Sequence, residues 1–248
     1  MLKFKGIITL IICVCLGVGV SQYSVQASTQ EEKPDYSEKG LEYFIRTDTQ
    51  TVSVKITGKP VNVVIPETVV IAEQTYTVTH IKSTAIKHDT LVRDKLKKVA
   101  RDDKEYEKNK KTQTIQIPKT VISIETGSFS YFSKLKKITV APENSKYKST
   151  AKGLLSKDGT ILYQAVNGTG TYKAPKGVKK IAARAFVATN YKKVVLPDSC
   201  NTIGSRAFFK CKKLQKIKGN GLSKCGKYAF YGTKVKGTNR YGTMKFKI

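Results

Sequence analysis

The fold follows from one stretch of the chain, Leu196-Pro-Asp-Ser-Cys-Asn-Thr-Ile-Gly-Ser-Arg-Ala-Phe-Phe-Lys-Cys-Lys-Lys-Leu-Gln-Lys-Ile217, because its spacing recurs on both sides. The pair Ala207-Phe208 has counterparts 22 residues earlier, at Ala185-Phe186, and 22 residues later, at Ala229-Phe230. Self-similarity at a fixed period indicates stacked repeats, since so short a unit cannot bury its own apolar face. The stretch therefore predicts a solenoid in which successive coils share one continuous core.

Two apolar columns follow this period and are predicted to point inward. The phenylalanine column holds Phe129, Phe186, Phe208 and Phe230. The second column holds Ile124, Ile181, Ile203 and Cys225. Each unit then carries apolar residues at alternate positions, as in Leu214-Gln-Lys-Ile217, which bury one face of a short strand. These features predict a β-rich, right-handed solenoid of 22-residue coils, in which helical turns join short strands.

The repeat also resembles a known family. The pattern Ile-Pro-x-x-Val-x-x-Ile-x-x-x-Ala-Phe-x-x-Cys-x-x-Leu-x-x-Ile resembles the BspA-like leucine-rich repeat, and the resemblance covers residues 41–235. The chain departs from it at Cys200 and Cys225, which replace aliphatic residues, at Thr189, which stands where a counterpart of Cys211 belongs, and at Ile86, which replaces Phe. The resemblance implies a leucine-rich-repeat solenoid and a role in surface adhesion and host contact.

The segments around the repeats complete the predicted organisation. Short strands before the first repeat fit an N-terminal β cap on its core, and Asp158-Gly159 between apolar runs indicates a β-hairpin island. The predicted segments are a signal peptide (1–27), a flexible N-terminal segment (28–40), the β cap (41–66), the first repeats (65–140) with a charged insertion (87–114), the β-hairpin island (141–171), the C-terminal repeats (172–235) and a C-terminal cap or tail (236–248). Within the insertion, Leu96-Lys-Lys-Val99 is an alternative strand of the first repeat.

The N-terminus is typical of a secretory signal peptide. Lys3 and Lys5 precede the apolar run from Ile7 to Val20, and Val25-Gln-Ala27 fits a cleavage site. The sequence therefore predicts a secreted protein, retained at the cell surface by charge, with no transmembrane span after signal removal.

The supply of residues for catalysis or metal binding is small. Only two histidines occur, His80 and His88, and neither lies in a Ser or Cys nucleophile motif. After Tyr172 the single acid is Asp198, which leaves no carboxylate pair there for glycoside hydrolysis. We therefore expect a protein that is not an enzyme and that needs no cofactor or metal. No sequence signal specifies an oligomeric state.

Cysteine usage agrees with that expectation. The exported chain retains Cys200, Cys211 and Cys225, and their odd number and wide spacing match neither a disulfide framework nor a zinc site. All three are expected to be buried thiols that behave as small hydrophobic residues.

Positive charge is concentrated in the last third of the chain. The whole sequence has 46 Lys or Arg against 18 Asp or Glu, a formal net charge of +28. Residues 172–248 hold 20 of the basic residues and one acid. The tyrosines Tyr172, Tyr228, Tyr231 and Tyr241 accompany them and are expected to add contact area, whereas Tyr191 fills a core leucine position.

Lysines also recur at fixed positions of the repeat. A row predicted to lie outward, before the inward residue of each later strand, comprises Lys98, Lys137, Lys193 and Lys216, preceded by Lys136 and Lys192. A second row comprises Lys180 and Lys224. Like charges stacked on adjacent strands destabilise a sheet, which favours an anionic partner for these rows. Lysine is also an ordinary solubilising residue, and this second interpretation stays open at the level of sequence.

Three functions compete on these observations. The leading hypothesis is a secreted, non-enzymatic interaction protein that binds an extracellular protein or glycan through the solenoid face. The second is electrostatic attachment to anionic cell-wall polymers. The third, extracellular nucleic-acid binding, is less favoured, because no nucleic-acid-binding motif accompanies the basic residues.

Overall fold

The computed structural model describes residues 32–47, 49–57, 59–84 and 111–237. The chain divides into two units, residues 1–33 and 34–248, and the strands below belong to the second. Within the described ranges there are eighteen short strands and no helix. The predicted signal peptide, Lys98, most of the charged insertion and the tail from residue 238 lie outside them.

The N-terminal sheet joins the predicted cap to the first coil. Its strands are β1 (Tyr36–Glu38), β2 (Leu41–Ile45), β3 (Thr51–Ile56), β5 (Thr68–Ile71), β6 (Gln74–Ile81) and β8 (Ser123–Ile124). The first three form an antiparallel meander, and β3 then pairs in parallel with β6. Strand β1 lies within the segment predicted to be flexible, where it pairs with β2.

The β-hairpin island is also continuous with a solenoid sheet. It consists of β10 (Tyr147–Thr150), β11 (Gly153–Ser156) and β12 (Ile161–Ala165), which pair antiparallel in that order. Strand β12 then pairs in parallel with β14 (Lys180–Ile181), followed by β16 (Thr202–Ile203) and β18 (Lys224–Cys225). We call β12, β14, β16 and β18 the first-strand sheet, because β14, β16 and β18 precede the Ala-Phe turn of their coil.

Two further three-stranded parallel sheets contain the strands on the other side of the coils. One contains β4 (Asn62–Val64), β7 (Thr114–Ile117) and β9 (Lys137–Val140). The other contains β13 (Thr171–Lys173), β15 (Lys193–Val195) and β17 (Lys216–Lys218), and we call it the second-strand sheet. Strand β4, within the range predicted for the β cap (41–66), pairs in parallel with β7. The alternative strand predicted for the first repeat, Leu96-Lys-Lys-Val99, lies outside the described residues.

The Ala-Phe segments are hydrogen-bonded turns rather than the helical turns expected. Alternate backbone N–H groups donate to the next coil, as from Phe186 N to Ala207 O (2.7 Å) and from Phe208 N to Ala229 O (2.8 Å). The residue before each alanine has a positive φ, as at Arg184 (61°), Arg206 (55°) and Tyr228 (59°). Right-handed helix excludes that conformation, so these segments bond to neighbouring coils instead of continuing as helices.

The interior contains the predicted phenylalanine ladder. The rings of Phe186 and Phe208 stack with centroids 4.7 Å apart, and those of Phe208 and Phe230 with centroids 5.2 Å apart at an interplanar angle of 4°. Phe129 is also buried but belongs to the N-terminal core cluster, where it packs against Phe132. In the second column Ile181 and Ile203 are buried, whereas Ile124 and Cys225 are half-buried against the core.

Candidate functional site

Two lysines of the second-strand sheet lie on adjacent coils in register. Lys193 of β15 and Lys216 of β17 are Cα partners, and the third rung of this column is Thr171 of β13. Lys216 is exposed and Lys193 is half-buried, while Val194, the next residue of β15, is buried in the core. Neighbouring strands lie about 4.8 Å apart, so the stems of the two lysines project side by side from one surface.

The other described lysines predicted for this row lie either just before β15 or in the β4–β7–β9 sheet and the residue that precedes it. Lys192 precedes β15 and is exposed. Lys137 begins β9, where its partner is Thr114, and the backbone N–H groups of Lys136 and Lys137 both donate to Gln113 O. The row is therefore divided between the β4–β7–β9 sheet and the second-strand sheet.

Two further lysines belong to the same surface and were missed by the sequence analysis. Lys173 and Lys218 are exposed and share a register column with Val195, two residues along the strands from the column of Lys193. The period of a strand is two residues, so both point to the same side as Lys193 and Lys216. That alternation was the signal in the sequence that would have identified them. We call Lys173, Lys193, Lys216 and Lys218 the second-strand lysines.

The second predicted row lies on the first-strand sheet. Lys180 of β14 and Lys224 of β18 are exposed, and Thr202 of β16 stands between them in register. The eight lysines predicted as one anionic-partner face thus include members of at least three sheets, with Lys98 outside the described residues.

A groove of about 520 Å³ runs along the first-strand sheet. Its lining includes small residues contributed by successive coils: Ala182, Ala183, Gly204 and Gly226. Lys180, Thr202 and Lys224 line it as well, together with Ser205. We call this the first-strand groove. No pattern in the sequence marked it, because it depends on which coils meet.

The glycines of the groove are required by the stacking of the coils. A Cβ on Gly204 would lie 2.4 Å from Ala183 N, and a Cβ on Gly226 would lie 2.3 Å from Ser205 N. Both contacts are with backbone atoms, which cannot rotate away as a side chain can. The two glycines consequently allow adjacent coils to approach each other closely at these positions.

The N-terminal wall of the groove supplies polar groups. Glu125 lines it, and its Oε2 accepts a hydrogen bond from Ser83 N at 2.9 Å. Tyr163 and Gln164 of β12 also contribute. The Tyr163 ring packs edge-on against Tyr147 with centroids 5.4 Å apart, which fixes its position beside the groove.

The remaining tyrosines have different environments. Tyr172, expected to add contact area, is fully buried: its ring packs against Phe186 at 4.8 Å and its hydroxyl donates to Lys152 O at 3.0 Å. Burial raises the pKa of Tyr172 above its usual value. Tyr191 is buried as predicted, whereas Tyr228 and Tyr231 are half-buried, and Tyr241 lies outside the described residues.

The three cysteines form no disulfide with any described residue, and they are not equally enclosed. Cys200 and Cys211 are buried, and Cys225 is half-buried rather than buried as expected. The Cys211 thiol donates a hydrogen bond to Phe186 O at 2.8 Å. It also lies 3.5 Å from the hydroxyl of Thr189, the residue that takes the place of Cys211 in the preceding coil. Burial raises the pKa of Cys211 to about 11, so this thiol stays protonated at neutral pH.

His80 is half-buried on the outer side of β6, with its Nδ1 2.9 Å from the Thr79 hydroxyl. Burial lowers its pKa, as does the positive charge of Arg46, against an opposing effect of Glu125.

Among the described residues, no three His, Cys, Asp or Glu side chains lie close enough to hold a metal ion. None of the described segments forms a helix of the length and apolarity that crossing a membrane requires.

Comparisons with solved structures return bacterial repeat proteins. A leucine-rich repeat protein from Eubacterium ventriosum is 24% identical, with 45% of this chain and 37% of that chain covered and a TM-score of 0.37. The pneumococcal vaccine antigen PcpA is 18% identical, with 83% and 76% covered and a TM-score of 0.39. A leucine rich cell surface protein from Faecalibacterium prausnitzii is 17% identical, with 79% of each chain covered and a TM-score of 0.43. The chain thus spans well under half of the Eubacterium protein.

A comparison with curated proteins gave no match. The model of one family, described as the BspA type leucine rich repeat region, matches residues 99–152 and 163–245 with six copies. These two ranges contain the Ala-Phe units and the second-strand sheet described above and take in more than half of the sequence. The chain belongs to the BspA type leucine rich repeat family.

Proposed function

We propose that this chain is a secreted, non-enzymatic interaction protein that uses its solenoid surface to bind an acidic extracellular protein or an anionic glycan, in surface adhesion or host contact. The observation that carries the proposal is the register of Lys193 with Lys216, flanked by Lys173 and Lys218 on one sheet. Membership of a repeat family supports the interaction role, because stacked coils present an extended surface on which several side chains contact one partner.

The charge around these lysines supports an acidic partner. From Tyr172 to Gly237 the described residues include 17 Lys or Arg and one acid, Asp198. The Asp198 carboxylate accepts a hydrogen bond from Asn220 at 3.0 Å, on the segment that follows the second strands. An unbalanced surface of this kind attracts polyanions and raises their rate of association. A partner with opposite charge would relieve the repulsion between lysines on adjacent strands.

Attachment to anionic cell-wall polymers is the second candidate, favoured by the same lysine rows. A flexible polymer needs no shape complementarity, and the lysines recur along the solenoid as charges recur along a polyanion. Its binding would depend on electrostatics almost alone and would weaken steeply as ionic strength rises. A protein partner that also buries an apolar centre would show a much weaker dependence on salt.

The test measures binding of the mature protein to heparin, purified wall polymer and immobilised matrix proteins at two salt concentrations. The triple variant Lys193→Gln, Lys216→Gln and Lys218→Gln should weaken binding to the anionic partner by about tenfold or more, as for the loss of several charge contacts. The matched control changes the exposed Lys134, Lys146 and Lys152 to Gln, which removes the same charge elsewhere. Equal losses in both variants would mean that net charge alone is responsible.

A further inference from the structure

The first-strand groove has a chemistry different from that of the second-strand lysines. Its volume of about 520 Å³ lies within the range of small-ligand sites, roughly 300–1,000 Å³. Polar side chains from several coils line it, among them Gln164, Thr202 and Ser205. Hydroxyl and amide groups of this kind donate and accept hydrogen bonds to a hydroxyl-rich ligand.

The cations of the groove are regularly spaced. Lys180 and Lys224 occupy the same register column two strands apart, with Thr202 between them. At about 4.8 Å per strand, their backbones are separated by about 10 Å. This distance is close to the length of a disaccharide, so the two flexible lysine side chains can reach acidic groups carried by every second sugar of a chain.

The floor of the groove favours a saccharide over a peptide. Strands β14 and β16 are each paired on both sides, so among the described strands of the groove a peptide strand could add only at β18, which ends the sheet. Gly204, Gly226 and Ala182 contribute little or no side chain to the floor, and the apolar Phe129 and Ile203 of the lining are buried. Among the described residues of the lining, Glu125 is the single acid; it lies at the N-terminal wall, and its carboxylate accepts a hydrogen bond from Ser83 N.

We propose that the first-strand groove binds a short acidic oligosaccharide segment, with carboxylate or sulfate groups at Lys180 and Lys224 and sugar hydroxyls at Thr202 and Ser205. This inference rests on the proposed function and deepens it, because it assigns the glycan a defined site. The second-strand lysines then hold longer polyanions through charge, and the groove adds recognition of a short segment.

The test uses probes of defined length: a heparin-derived tetrasaccharide, tetragalacturonate, an uncharged chitotetraose and a hexaglutamate peptide. The parent should bind at least one of the two acidic tetrasaccharides more tightly than chitotetraose and hexaglutamate in calorimetric titrations. The sulfated and the uronate probes identify which acidic group the site prefers. Hexaglutamate binding as tight as that of the better tetrasaccharide would overturn the saccharide assignment in favour of an acidic peptide.

Two groove variants and one control locate the site. Ser205→Trp places a ring in the groove without changing charge, and Lys180→Gln with Lys224→Gln removes its two cations. Each should weaken tetrasaccharide binding about tenfold, or about 1.4 kcal/mol. The control, Lys134→Gln with Lys146→Gln, removes the same charge from exposed positions outside the groove and the second-strand sheet, and should change tetrasaccharide affinity less than about twofold. Thermal unfolding of each variant confirms that it is folded.

The pattern of losses separates failure of this inference from failure of the proposed function. Equal loss of tetrasaccharide binding in both double variants, or none in either groove variant, would overturn the groove site, while binding of long heparin still supports the lysine surface. A parent that binds neither long polyanions nor matrix proteins contradicts the proposed function. Tetrasaccharide binding that is lost only in the groove variants supports the groove site, regardless of how these variants bind long polymers.

Discussion

Gly204 shows how a single residue sets the distance between coils. An added Cβ would lie 2.4 Å from Ala183 N and 2.7 Å from Ala182 C, much closer than atoms of that type approach. Ala182 occupies the equivalent place on the preceding coil: its N–H donates to Leu162 O, as that of Gly204 donates to Ile181 O. The glycine is therefore needed for close approach rather than for an unusual φ.

We predict that Gly204→Ala destabilises the protein by about 3 kcal/mol, the upper end of the usual cost of overpacking, because backbone rather than side chain must move. Gly219→Ala is the control: the nearest neighbours of its Cβ would be side-chain atoms, the Leu196 Cβ at 3.2 Å and Leu222 atoms at 3.5 Å, so a smaller loss of about 1 kcal/mol is expected. Urea unfolding followed by circular dichroism measures both. Similar stabilities for the two variants would show that the coils separate freely at this point.

At the scale of elements, the repeat columns made the C-terminal coils predictable, because Phe186, Phe208 and Phe230 report the period directly. The β5–β6 hairpin of the first coil was not predictable. Its turn is Ala72-Glu73, with φ of 48° and 67°. Two-residue turns with positive φ usually contain Asn or Gly, and neither residue type is present here to indicate the turn. The lysine rows of the site were also predictable, because the lysines recur at fixed positions of the repeat. The first-strand groove was not predictable, because it depends on how sheets from different parts of the chain meet.

The turn of the β-hairpin island leads to a pH prediction. Hydrogen bonds from the Ser156 hydroxyl and from the backbone and hydroxyl of Thr160 lower the pKa of Asp158 from 3.8 to about 2. Because the folded pKa is the lower one, this carboxylate stabilises the fold above pH 3.8, and its contribution is lost as the pH falls through about 2.

Asp158→Asn retains an acceptor oxygen but does not titrate. Urea midpoints measured between neutral pH and pH 2 should therefore decline less steeply in this variant than in the parent. Glu143→Gln, an exposed carboxylate outside the turn, serves as the control and should follow the parent. If Asp158→Asn declines as steeply as the parent, the turn carboxylate has no part in the acid sensitivity.

For the whole molecule, the described core consists of two main clusters. Val54, Ile81 and Phe129 belong to the N-terminal one, and Phe208 and Ile203 to the C-terminal one. The island connects them, since Leu154 lies in the first cluster and Leu155 in the second. In a stacked repeat, stability is roughly a sum over coils and their nearest-neighbour interfaces, so damage to one coil should remain local.

A reciprocal pair of variants tests this locality. Phe208→Ala removes a fully buried ring between Phe186 and Phe230 and should cost about 3–5 kcal/mol. Hydrogen exchange should then accelerate in β14–β17 while β2, β3 and β6 remain protected. Phe129→Ala, a buried ring of the N-terminal cluster, should produce the opposite distribution. If either variant accelerates exchange equally in both clusters, the solenoid unfolds as one cooperative unit, and its two lysine-bearing sheets are lost together.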